Sequence, residues 1–298
     1  MYEVLEHWKE YQKKTKLKKL ELELKQMLKE KGIHIPIVTT LHGTDITLVG
    51  SHPFYKTAVE FSINNSDVVT VVSENLKKDT LRLFDIKKDI EVIYNFIDFD
   101  NYPNIKDKEC KRTALAKENE KIIVHVSNFR PVKRINDVIT VFNKIQKVMP
   151  AKLLMVGNGP EREGADAKVK ELNIRDKVLF LGNSDEVNKI LCYADLFLLP
   201  SETESFGLAA LEAMAAKTPI ISSNSGGLPE VNINGETGFT SDVGDTDNMA
   251  KNAIFILEDK ERLEAFKLRA QQQAHKFSIE KILPLYEEVY RTVKVGCC

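Results

Sequence analysis

Beyond residue 32 the chain alternates short apolar runs with longer segments in which apolar residues return every three or four positions. Runs of four to eight apolar residues bounded by turn residues read as buried strands, and the longer periodic segments read as helices. In the first half this predicts strands at Ile35–Leu41, Asp67–Val72 and Ile90–Tyr94, with helices at Tyr55–Asn64 and Ser73–Phe84. Asn95–Pro103 reads as a linker, and a polar stretch follows to Glu120. The second half is more regular. Strands are expected at Lys121–Val126, Lys152–Val156, Val178–Leu181, Leu196–Leu199 and Pro219–Ser222, separated by helices. The last helices span Asn248–Leu257, Glu261–His275 and Ile279–Val293. This rhythm predicts βαβ units, hence parallel sheets covered by helices. Residues 2–31 differ: Leu17, Leu20, Leu24 and Met27 or Leu28 recur at helical spacing among Lys and Glu, and Gly32 ends that pattern. They read as one charged, solvated helix.

Composition narrows the class. With 298 residues the chain is long enough for two domains. Hydrophobic residues make up 43% and charged residues 29%, which excludes a disordered or fibrous chain. Lys and Arg total 43 against 44 Asp and Glu, so the basic excess usual in nucleic-acid binders is absent. No apolar run approaches the roughly 20 residues of a membrane span, and the N-terminus lacks a signal-peptide core, so a cytoplasmic protein is expected. Cys110, Cys192, Cys297 and Cys298 show no ligand or redox spacing, and the terminal pair reads as an inert tail.

Candidate chemistry follows from topology. Ligands of open parallel sheets bind beyond the carboxyl ends of the strands. Each predicted strand of the second half ends in a polar or Gly-rich loop, so these loops should converge on one elaborate site for a phosphorylated ligand. Arg130, Lys133 and Arg134 follow the first of those strands, where cations can neutralise phosphate oxygens. Gly157-x-Gly159 begins like a dinucleotide fingerprint, but Arg162 stands where the third glycine belongs. Ser205-Phe-Gly-Leu208 opens a helix whose free N–H groups suit an anion. Glu204 and Glu212 fall ~12 Å apart by helical rise. That is too far for a hydrolase carboxylate couple and suits two anchors on one extended ligand. Asp98-x-Asp100 and Asp245-x-Asp247 lack a third ligand nearby and read as ordinary surface acids, so no metal is called for. Of the histidines only His42 stands out, at a strand end beside Gly43 and Asp45. No Walker loop, nucleophile elbow or zinc motif occurs.

From about Ile33 to Val293 the chain resembles the retaining glycosyltransferases of family 4. The resemblance rests on Glu204-Ser-Phe-Gly-Leu-Ala-Ala-Leu-Glu212, an E-x7-E signature, together with Ser127–Lys133, Met155–Arg162, Gly226-Gly-Leu-Pro-Glu230 and Gly235-x-x-Gly238-Phe239. Thr39–Thr47 and Ser127–Arg134 are similar to the bacillithiol-pathway branch, which joins N-acetylglucosamine to L-malate.

The resemblance implies an α/β fold of the GT-B type, two Rossmann-like domains, the N-terminal one truncated. Its parts would be a charged helix over 1–32, a partial acceptor-side domain over 33–103 and a nucleotide-sugar-binding domain over 104–278. A C-terminal helix and tail, 279–298, would cross back to the first domain. It implies transfer of N-acetylglucosamine from UDP-N-acetylglucosamine to L-malate or a similar small acceptor, with retention, no cofactor and no metal. Lys133 and Arg130 would hold the diphosphate, helped by the amides of Phe206, Gly207 and Leu208. Glu204 would meet the sugar hydroxyls and Glu212 the ribose. Gly157 and Asn128 would join the donor site, although many members carry arginine where Asn128 stands, a place that Arg130 fills in this branch. His42, with Lys133 and Glu204, would be catalytic, and Thr44 and Asp45 would lie on the acceptor side. Ala216-Lys217 replaces a Cys-Gly or similar pair often found before Thr-Pro. The family's opening strand and Gly-rich loop have no counterpart before Ile33. That leaves two alternatives open: a nucleotide-sugar-binding protein without turnover, and a fragment completed by a partner chain. A homo-oligomer is left open as well.

Overall fold

A computed structural model describes residues 27, 28, 30–32, 35–43, 46, 53–102 and 112–293. Most of the expected N-terminal helix therefore lies outside the described residues, as do Thr44, Asp45, Cys110, Cys297 and Cys298. The chain divides into two compact units. The first takes in the described residues up to Val71, Lys77–Val92 and the chain from Pro284 onward; the second takes in Val72–Leu76 and Ile93–Leu283.

The first unit carries three parallel strands in the order β1-β2-β3: β1 (Val38–Leu41), β2 (Val68–Val71) and β3 (Ile90–Val92). Helix α1 (Pro53–Asn64) connects β1 to β2, and α2 (Glu74–Leu83) follows β2. Thr70 and Thr40 share a hydroxyl hydrogen bond of 2.8 Å across β1 and β2. The Asp67 carboxylate accepts from the Ile37 amide at 2.7 Å and so pins the entry to both strands.

The second unit is built on six parallel strands in the order β6-β5-β4-β7-β8-β9. They are β4 (Lys121–Val126), β5 (Ala151–Val156), β6 (Val178–Gly182), β7 (Leu196–Leu199), β8 (Ile220–Ser223) and β9 (Gly238–Ser241). Strand order reverses between β4 and β7, the place where such sheets bind ligands. A short helix, α3 (Arg112–Leu115), precedes β4. The connecting helices are α4 (Ile135–Gln146), α5 (Arg162–Glu171), α6 (Val187–Leu191), α7 (Leu208–Ala215) and α8 (Leu228–Val231). After β9 come α9 (Thr246–Leu257) and α10 (Lys260–Ala274), then α11 (Ile279–Thr292), which belongs to the first unit from Pro284 onward.

Helices on both faces explain the apolar runs. Every residue of β7 and β8 is buried, so neither strand shows the alternation of a half-exposed sheet. Phe129, Phe142 and Leu153 are fully enclosed in the core, each large side chain contributing about 1.5–3 kcal/mol by leaving water. Among the described residues no helix is long and apolar enough to cross a membrane.

Three expectations need correction. The sheet has a sixth strand, β9, in a segment read from sequence only as a glycine motif; Gly238 and Phe239 pair with Ile220 and Ile221. A β-carbon on Gly238 would sit 1.8 Å from the Ile220 carbonyl oxygen, so the glycine permits the strand rather than ending one. The polar stretch before β4 contains α3, whose Arg112 donates to Tyr193 O, Glu120 O and Asp195. The sequence Gly182-Asn-Ser-Asp185 reads as the opening of a helix, but the helix begins only at Val187.

Candidate active site

Parallel pairing brings the loops after β4, β5, β7 and β8 to one edge of the sheet. The loop after β4 is set by a buried relay. The His125 ring is fully enclosed. Its Nδ1 donates to Leu198 O at 2.8 Å, because a carbonyl can only accept, and its Nε2 therefore accepts from Ser127 Oγ at 2.8 Å. Ser127 Oγ in turn accepts from the Phe129 amide at 3.2 Å. Burial, reinforced by the charge of Lys133 and opposed by the Leu198 carbonyl, lowers the imidazole to about 4, so His125 is neutral. Phe129 adopts φ +42°. This bend sends its ring into the core while Asn128 and Arg130 face solvent.

Gly157 and Gly159 pack against this loop. Added β-carbons would lie 1.8 Å from Ser127 O and 1.9 Å from Asn128 O. The incomplete dinucleotide fingerprint is thus a site of close loop contact, and Glu161 N donates to Phe129 O at 2.9 Å beside it.

Residues Pro131–Lys133 form a 3₁₀ turn. From it Lys133 Nζ reaches Glu204 Oε1 at 2.6 Å, with both side chains mostly enclosed. Ser201 Oγ donates to the same oxygen at 2.9 Å. The resemblance gives Lys133 to the diphosphate and Glu204 to the sugar hydroxyls; in the structure the two meet as an ion pair.

The Ser201–Gly207 loop is fixed from several sides. Glu202 N donates to Val132 O at 2.8 Å, Ser223 Oγ to Ser201 O at 2.5 Å, and Ser225 Oγ to Glu202 O at 2.6 Å. Gly227 N donates to Glu204 O at 2.8 Å. Gly226, at φ +61°, lies so close that a β-carbon would stand 1.9 Å from Glu204 O. Only glycine meets both the angle and the space.

The loop ends at Gly207, in a left-handed conformation at the N-terminus of α7, and among the described residues no side chain caps that helix. Its leading N–H groups and partial positive charge are oriented for an anion. Phe206 is buried behind them, 6.0 Å from Tyr94 and 5.6 Å from Phe277 between ring centroids. Glu212 follows on α7; burial pushes its carboxyl above the usual range. Tyr102 is close enough for the Glu212 charge to raise its phenol further, after the larger effect of burial.

His42 is exposed and belongs to the first unit. The first member of each acidic pair is a helix N-cap. Asp98 accepts from Asp100 N, and Asp245 from Asn248 N. Among the described residues no group of three or more His, Cys, Asp or Glu could hold a metal. His125 and Ser201 do not stand out from sequence as site residues, and Gly226 and Glu230 stand out only as part of a motif, with no role attached. For His125 the only signal is a histidine inside an otherwise apolar strand.

Comparison with known proteins agrees with this architecture. The model for glycosyl transferases group 1 matches residues 107–273, and that for glycosyltransferase family 4 matches residues 24–101. The N-acetyl-alpha-D-glucosaminyl L-malate synthase of Bacillus anthracis is 47% identical over 270 residues, covering 90% of this chain and 70% of that protein. The chain belongs to glycosyltransferase family 4. A second relative of this family 4 glycosyltransferase is the 2-deoxystreptamine N-acetyl-D-glucosaminyltransferase of Niallia circulans, 26% identical over 89% of this chain and 71% of that protein. HepE of Anabaena, solved with UDP and glucose, superposes with a TM-score of 0.77 at 21% identity over 87% of this chain and 71% of that one. The fold is of the GT-B type.

Proposed function

We propose that this family 4 glycosyltransferase moves N-acetylglucosamine from UDP-N-acetylglucosamine to L-malate or a closely similar small acceptor, in the cytoplasm and with retention at the anomeric carbon. The observation that carries the donor half is the meeting of Lys133, Glu204 and the uncapped N-terminus of α7 at one sheet edge. A diphosphate needs a cation and free amides, and a sugar hydroxyl needs a carboxylate; all three stand together there. Identity of 47% to an N-acetyl-alpha-D-glucosaminyl L-malate synthase supports the acceptor.

In this reading the donor diphosphate lies across the N-terminus of α7, and Lys133 turns from Glu204 toward it. Lys133, Arg130 and the amides of Phe206, Gly207 and Leu208 stabilise negative charge growing on the departing UDP. Protein cations do the work a metal would otherwise do. Glu204, relieved of part of its ion pair, accepts from sugar hydroxyls, and Glu212 accepts from the ribose. Gly157 and Asn128 border the donor. His42, Thr44 and Asp45 are assigned to the sugar and acceptor side.

The test is incubation of the full chain with UDP-N-acetylglucosamine and L-malate, with product analysis by mass and by the proton coupling at the anomeric carbon. An α-linked N-acetylglucosaminyl malate supports the reading. UDP binding with no transfer, or transfer only to another acceptor, overturns the malate assignment. Failure to bind UDP overturns the donor site.

A further inference from the structure

Glu230 closes the Gly226-Gly-Leu-Pro-Glu230 motif, yet it faces neither Lys133 nor Glu204 among the hydrogen bonds described. Its two carboxylate oxygens accept from backbone amides: Oε2 from Glu74 N at 2.9 Å and Oε1 from Asn75 N at 2.8 Å. These are the first two amides of α2. The third, Leu76 N, is met by Ser73 Oγ at 3.1 Å. A remote carboxylate and a local serine therefore share the capping of one helix start, where a negative charge also suits the helix dipole.

Both caps lead back to the donor loop. Ser73 Oγ donates to Ser205 O at 2.5 Å. On the motif that carries Glu230, Gly227 N donates to Glu204 O, and a β-carbon on Gly227 would stand 2.5 Å from Ser205 O. Tyr94 adds a third tie: its phenol stands near enough to Glu230 for that charge to raise its pKa, after the larger effect of burial, while its ring packs against Phe206 and Phe277 at 6.0 and 5.3 Å. All these residues lie within the second unit.

We infer that Glu230 is a positioning residue: it locks the turn Ser73–Leu76 and Tyr94 against the back of Glu204–Gly207, and so holds the loop in its donor-binding shape. This rests on the donor site proposed above. Glutamate suits the task because two N–H groups converge on it, one on each oxygen, and only a carboxylate offers acceptors alone. Glutamine would present its NH₂ to one of those donors. The lock acts through Ser205 and Phe206 and leaves Lys133 untouched.

The experiment uses the full chain carrying Glu230→Gln, with Tyr94→Phe as a milder variant that removes a single hydroxyl. Two readouts are taken. Amide hydrogen exchange without nucleotide should speed at least fivefold at Glu74, Asn75 and Ser205–Leu208 in Glu230→Gln, and to a smaller extent in Tyr94→Phe. Calorimetry with UDP should show about tenfold weaker binding in Glu230→Gln. Combining Ser73→Ala with Glu230→Gln should cost less than the product of the two single losses, because both hold the same turn. Unchanged exchange at Ser205–Leu208 in both variants would overturn the inference, whatever the nucleotide does. Faster exchange with no UDP binding by the parent chain would support the lock and sink the donor-site reading. Wild-type UDP affinity in Glu230→Gln would overturn the claim that the lock serves the donor.

Discussion

Lys133 Nζ lies 2.6 Å from Glu204 Oε1, so the cation and the carboxylate of the candidate site neutralise each other before any ligand arrives. The pair is mostly enclosed, and a cation left alone there would lose solvation. Glu204 thus has two opposing effects on an anion: it keeps Lys133 in place, and it competes for it.

The competition gives the first prediction. Lys133→Ala should weaken UDP by about 1.5–3 kcal/mol, the range for hydrogen bonds to charged groups. Glu204→Gln should leave inorganic diphosphate bound at least as tightly as in the parent, because a negative charge has been removed beside the phosphate site. Sugar transfer should nevertheless collapse. Calorimetry with diphosphate and a transfer assay on the same preparations check both. A parallel fall in diphosphate binding and transfer would mean that Glu204 serves chiefly to hold Lys133.

Glu212 should discriminate between ligands. Its carboxyl sits on α7 beyond the anion-binding amides, so Glu212→Ala should hurt UDP more than inorganic diphosphate, which has no ribose. Burial raises its protonation range. UDP affinity should therefore begin to fall on acidification at a pH above that of an ordinary glutamate, and Glu212→Gln should flatten that fall. Equal losses for both ligands would remove Glu212 from the ribose.

Much of this arrangement is legible in the sequence, and the reasons are physical. Buried parallel strands must be continuously apolar, so β4 and β7 stand out at the limits observed. Their polar loops have to share one edge once the strands are parallel. What stays hidden depends on contacts between distant segments. Strand β9 is short and begins at a glycine whose need appears only when Ile220 lies beside it. The Lys133–Glu204 pair spans 71 positions, and the capping of Glu74 by Glu230 spans 156. No local periodicity encodes either. His125 looks ordinary in the sequence because its partners, Leu198 and Ser127, explain it only in the folded sheet.

His125 ties stability to acidity. Its folded value is lowered to about 4 from an ordinary 6.5. The unfolded chain therefore binds more protons between those values. The contribution of a neutral His125 is fully present above about pH 6.5 and is lost as pH falls toward 4. Its size is up to about 3 kcal/mol, at 1.36 kcal/mol per unit. Denaturant melts across this window should show the slope, and His125→Gln should reduce it. A slope unchanged in His125→Gln would assign the acid sensitivity to other groups.

The end of α7 offers a change that should strengthen the protein without touching its chemistry. Lys217 occupies a left-handed conformation, φ +62°, just past the helix. Its amide donates to Met214 O at 3.0 Å, and Thr218 N donates to Ala213 O at 2.9 Å, a helix-ending pattern that glycine usually supplies. A side chain there costs roughly 1–2 kcal/mol in backbone strain. Glycine would give back about 0.4–1 kcal/mol through the freer unfolded chain. Relief of strain outweighs that loss, so Lys217→Gly should stabilise by roughly 1 kcal/mol, measured as a higher denaturation midpoint at unchanged m-value. The residue lies at the opposite end of α7 from Gly207, ~15 Å away by helical rise, so UDP affinity should stay at the parent value. A lower midpoint would show that the lysine side chain contributes more through its own contacts than its backbone conformation costs.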